Sequence, residues 1–149
     1  MTSPALHLVV QYANAALCPD RAHVRRWVEA TRNESRMESP VHLLVRFVAV
    51  PEARLLNRQY RHRDYATNVL TFCYPEPAHI EADIVVCTSV VEREARHQKK
   101  ILINHYAHLI VHGVLHAFGM DHNNARAAHA MERLEGTILA RFGIDDPYS

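Results

Sequence analysis

His112, His116 and His122, with Gly119 between the last two, form the pattern H-x-x-x-H-x-x-G-x-x-H. Four residues separate the first two histidines, so on a helix both imidazoles stand on one face, one turn apart. That spacing lets them reach a single metal ion. Gly119 can end the helix in a left-handed conformation that a Cβ would resist. The chain then turns back and brings His122 round as a third ligand. Three neutral nitrogen donors with an open fourth position describe a catalytic zinc site, because a structural one is closed by four protein ligands. The chain has twelve histidines, and abundance alone would explain a pair at this spacing. The glycine and the third histidine favour the metal.

The spacing is also that of the long zinc-protease motif, with one difference. Gly113 stands where those enzymes carry the glutamate that acts as general base. The zincin-like cage is kept and the peptidase base is absent, which counts against a peptidase.

The elements that must position these residues follow from periodicity. Leu6 to Gln11 reads as a first strand. A helix opens near Pro19 and Asp20, with Val24, Trp27 and Val28 as its apolar side, and polar Thr31 to Pro40 reads as a loop. Val41 to Val50 is a second strand, and Pro51 starts a helix at its favoured first position. A turn at Asp64 to Ala66 precedes a third strand, Thr67 to Phe72. A proline-bearing loop from Tyr74 to His79 leads to a fourth strand, Ala82 to Cys87. Ser89 and Glu92 match a capping box that begins a helix near Val90. The metal pair lies on a long apolar helix, Ile101 to Phe118, and a last helix runs from beyond Asn124 to about Phe142. The expectation is a single α/β (α+β) domain over residues 1–149, with a small mixed four-stranded sheet and about five helices.

His105 and His108 share the face of the metal pair. His105 is about two turns from His112 at roughly 1.5 Å of rise per residue, too far for one ion. Both suit the lining of the cleft or hydrogen bonds behind the ligands. His97 and His129 read as surface residues. The helix after Pro51 carries Arg54, Arg58 and Arg61, with Arg63 beyond. This stripe is equally a solvated face or a phosphate-facing one, since guanidinium forks match phosphate oxygens.

The 149 residues carry a net charge of +1, so overall charge does not announce a nucleic-acid binder and any such contact must come from a local patch. Cys18, Cys73 and Cys87 form no C-x-x-C pair and suit reduced thiols in a cytosol. No signal peptide or membrane-spanning run is expected, which points to a cytoplasmic protein with no membrane partner.

With these stretches in view, the sequence resembles the YbeY family of bacterial ribonucleases. The family pattern H-G-x-L-H-x-x-G-[YF]-D-H is met by His112, Gly113, Leu115, His116, Gly119, Asp121 and His122, with Met120 in the aromatic place. A second block is matched by Leu56-Asn57, Tyr60-Arg61 and Thr67 to Phe72, with Thr71 for serine. Ala82-Asp83-Ile84 stands for the family's G-D-I, and the tail carries Asp146-Pro147-Tyr148. The resemblance implies one zinc per chain on the three histidines, and an arginine at the position of Arg61 that matters for activity. It also implies single-strand-directed endoribonuclease activity in 16S ribosomal RNA 3′-end maturation and ribosome quality control, with the ribosome or its proteins as partners.

Under that reading Arg61 would stabilise charge on the phosphate, and Arg54, Arg58, Arg63 and Asn68 would contact the RNA. Asp121 would act as base or, preferably, orient a ligand imidazole. The rival reading is a ribosome-assembly factor whose zinc holds the fold. A metallopeptidase stands third, disfavoured by Gly113.

Overall fold

The computed structural model describes residues 5–14, 16–63 and 65–148. Four strands form one sheet: β1 (Leu6–Tyr12), β2 (Val41–Val48), β3 (Val69–Tyr74) and β4 (Ile80–Cys87). Their order is β1-β2-β4-β3, with β1, β2 and β4 parallel and β3 antiparallel at the edge. The helices are α1 (Arg21–Ser35), α2 (Val50–Arg61), α3 (Thr88–His97), α4 (Leu102–Ala117) and α5 (Ala125–Ala140). The mixed sheet with five helices is the architecture expected from the sequence.

β2 alternates buried Val41, Leu43, Val45 and Phe47 with half-buried residues, so one face of the sheet carries the main core. α1, α4 and α5 cover that face, and α4 lies at its centre with Tyr106, Ile110, Val111, Val114 and Leu115 fully enclosed. Each such large apolar side chain contributes about 1.5–3 kcal/mol by leaving water. α2 covers part of the opposite face, over a smaller cluster of Val48, Ala53, Leu70, Val85, Cys87 and Val90.

Two local expectations are corrected. Thr31 to Ser35 belongs to α1 and is not a loop. Its polar side chains satisfy themselves within the helix: the Thr31 hydroxyl donates to the Trp27 carbonyl at 2.7 Å, and Ser35 donates to that of Thr31 at 2.7 Å. The Ser89–Glu92 capping box does not form. α3 starts at Thr88 without a side-chain cap, because Thr88 is buried and its hydroxyl is engaged by Asn14 and the Val48 carbonyl. The turn expected at Asp64 to Ala66 begins on a residue outside the described ones.

Candidate metal centre and cleft

α4 presents His112 and His116 on one face, their rings 4.6 Å apart and their Nε2 atoms 3.1 Å apart. The helix ends in a reversal at Gly119, whose φ is +96°. The Gly119 N–H donates to the His116 carbonyl at 2.9 Å and the Met120 N–H to that of Leu115 at 3.1 Å, the paired bonds of a Schellman ending. This reversal delivers His122, whose ring lies 5.1 Å from that of His116 and 5.7 Å from that of His112. One nitrogen from each imidazole lies within 4.8 Å of the others.

The donor set fits a metal ion. Two imidazole nitrogens on one tetrahedral zinc stand about 3.3 Å apart, given bonds of about 2.0–2.1 Å. The 3.1 Å between His112 and His116 is close to that span. Burial and the neighbouring imidazoles of His112 and His122 lower the His116 pKa to about 4. His116 is therefore neutral near pH 7, as a ligand must be.

Glu135 fixes the first ligand. It is wholly buried in α5, and its Oε1 accepts from His112 Nδ1 at 2.7 Å. Its Oε2 accepts from His108 Nε2 at 2.9 Å and from the Tyr148 hydroxyl at 2.8 Å. Burial alone would raise this carboxyl, but the hydrogen bonds from His108, His112 and Tyr148 outweigh it and hold the pKa at about 2. An ionised Glu135 keeps the proton of His112 on Nδ1 and turns the Nε2 lone pair toward His116. Sequence reasoning missed this residue, although it left a signal. Glu135 sits on the apolar stripe of α5 with Met131, Ile138 and Leu139, where an acid needs a buried partner.

Gly113 lies where α4 crosses the sheet. A Cβ there would meet Ile84 Cγ2 at 3.0 Å and Thr71 Oγ1 at 3.3 Å. The position that holds the peptidase glutamate is pressed against β3 and β4, so a side chain there would have to displace Ile84 and Thr71.

The three histidines open into a cleft of about 510 Å³ that Arg61, Asn68 and Tyr148 also line. Arg61 comes from the last turn of α2. The chain after it is held by Asn57, which is buried. Its amide donates to the Tyr65 carbonyl at 2.8 Å, and its own carbonyl accepts from Arg63 N–H at 3.3 Å. Of the basic stripe, Arg61 faces the cleft. Arg54 and Arg58 are exposed and do not line it, and the Arg63 guanidinium donates to the Tyr65 hydroxyl at 3.2 Å. Asn68 donates to the Glu94 carboxylate at 3.1 Å, which in turn meets His105 Nε2 at 3.0 Å. His105 is buried and, with burial outweighing Glu94, its pKa is lowered. Asp121 does not line the cleft; its carboxylate accepts the Asn123 N–H at 3.2 Å. The orienting part expected of it for a ligand imidazole is taken at His112 by Glu135. His97 and His129 are exposed.

Fold and site together define a small α+β protein with a three-histidine group, able to hold a metal ion, open to a cleft on one side. The family model described as Endoribonuclease YbeY matches residues 14–143. Over 149 aligned residues the chain is 50% identical to the Endoribonuclease YbeY of Thiobacillus denitrificans, covering 98% of both chains. It is 49% identical to that of Alkalilimnicola ehrlichii, covering 98% of this chain and 93% of the relative. A solution structure of a Thermotoga maritima protein, 23% identical, shares the fold with a TM-score of 0.62 over 91% of each chain. The chain belongs to the YbeY family of endoribonucleases.

Proposed function

We propose that this protein is a zinc-dependent endoribonuclease that cuts single-stranded RNA, acting in 16S ribosomal RNA 3′-end maturation and ribosome quality control. The observation that carries this reading is a cleft in which three imidazoles and the guanidinium of Arg61 share one space. The relatives named as endoribonucleases supply RNA as the substrate class. His112, His116 and His122 hold one zinc per chain, which when bound supplies Lewis-acid polarisation of the phosphodiester.

The remaining work falls to the chain. Arg61 grips a non-bridging phosphate oxygen and stabilises the charge that develops there. Arg54, Arg58 and Arg63 extend the positive charge along the RNA backbone, and Asn68 contacts the strand from the cleft wall. Asp121, next in sequence to His122 and outside the cleft lining, is assigned first to orienting a ligand imidazole and only second to acting as base in a water-driven reaction. No helix of the described residues is long and apolar enough to cross a membrane. The proposed place of action is the cytoplasm, with the ribosome or its proteins as partners.

One observation favours a variant of this chemistry. Among the described residues, no carboxylate lines the cleft. Attack by the RNA's own 2′-hydroxyl requires no carboxylate at the Gly113 position. The ends of the products separate the two routes: a 2′,3′-cyclic phosphate marks internal attack and excludes water as first nucleophile. An intact single-stranded RNA after incubation with fully zinc-loaded protein would instead support the assembly-factor reading.

A further inference from the structure

On the sheet face opposite α4, a second group of metal-binding side chains gathers at the starts of the strands. His7, His42 and Glu81 are register partners across β1, β2 and β4, so their side chains project from one face in a single row. His79, two residues before Glu81, joins that face. His79 Nε2 is 2.8 Å from Glu81 Oε1, and His42 Nδ1 is 3.9 Å from the same oxygen. The rings of His42 and His79 stand 4.4 Å apart, and that of His7 rests edge-on against His42 at 4.6 Å. One ligand atom from each of His42, His79 and Glu81 lies within 4.8 Å of the others.

An ordinary ion pair accounts for His79 and Glu81. It does not account for His42, whose nitrogen is too far from the carboxylate to hydrogen-bond yet converges on it. Ligands on one tetrahedral zinc are about 3.3 Å apart, and the separations of 2.8 and 3.9 Å fall on either side of that value. His42, His79 and Glu81 are partly exposed, so rotation of their side chains can bring the donors to that spacing. We propose that His42, His79 and Glu81 form a second metal site, distinct from the cleft, that takes a divalent transition ion such as zinc, nickel or copper.

Two nitrogens among three donors exclude magnesium and calcium as its preferred ions. His79 closes the loop between β3 and β4, so an ion here ties that loop to β2 and binds only the folded chain. Bound ion therefore raises the melting temperature.

The test is zinc stoichiometry of the full-length, metal-stripped chain by equilibrium dialysis. Wild type is expected to take two zinc ions and H42Q/H79Q one, with RNA cleavage unchanged in the variant. One zinc in the wild type, or two in the variant, overturns the proposal. Should the variant fail to fold, the wild type decides by NMR. The imidazole resonances of His42 and His79 must shift with the second equivalent of zinc, and their silence also overturns it.

Discussion

The two walls of the cleft are built on different physical terms. The α4–α5 wall is buried and hydrogen-bonded: Glu135 is wholly enclosed, accepts from three side chains, and fixes His112 before any ion arrives. The α2 wall ends in an exposed arginine carried on a helix terminus, with His62 in a left-handed cap at φ +57°. A rigid wall suits the ligands of a metal, whose bond lengths leave little tolerance. An exposed guanidinium on a long side chain suits a flexible polyanion, because its rotamers can follow the phosphate as the strand settles. The division predicts that loss of the Glu135 hydrogen bonds damages stability and metal together, whereas substitution of Arg61 leaves both intact and removes catalysis alone.

Glu135→Ala should give the largest combined effect. It strips His108, His112 and Tyr148 of their shared acceptor, at about 1–3 kcal/mol for each group left unsatisfied. Metal affinity should also fall about 10–100-fold. Thermal unfolding and zinc titration would read both losses, and a variant with wild-type affinity would break the proposed rigidity of that wall.

Arg61→Glu acts on the other wall. Cleavage should drop by about 100-fold or more, with zinc content and melting temperature unchanged. Near-normal cleavage would remove Arg61 from the phosphate. Tyr148→Phe is gentler, since it takes one of three donors from Glu135. A loss of about 1 kcal/mol in stability is expected, with metal still bound, as measured by denaturant unfolding.

How much of this was legible in the sequence depended on how local the interactions are. His112, His116 and His122 lie within eleven residues, and one helix with one glycine reversal fixes their meeting. The acceptor behind them comes from another helix, 23 residues beyond His112, and spacing alone cannot pair residues so far apart. The clue lay in an acid on an apolar stripe. The same limit explains α3, where the buried contacts of Thr88 with Asn14 and Val48 override a capping box that local sequence favours. It also explains the basic stripe. Its periodicity is visible, but which arginine faces the cleft depends on how α2 packs on the sheet, which spacing does not give.

The smallest effect concerns pH. Burial lowers the His105 pKa below its ordinary 6.5, so the unfolded chain takes up that proton first as pH falls. The stability present above 6.5 is lost progressively from there down to the lowered folded value. His105→Gln should make the decline of stability across that acid range shallower, and urea unfolding at several pH values would show it. An unchanged slope would mean that this buried histidine does not carry the linkage.

On the proposed mechanism, cleavage depends on an ion held by three imidazoles. The decisive experiment measures zinc content and cleavage of single-stranded RNA side by side for wild type and His116→Ala. The substitution is expected to remove both the cleft zinc and the cleavage from a chain that remains folded. A folded His116→Ala protein that has lost that zinc and still cuts RNA at the wild-type rate would contradict that mechanism.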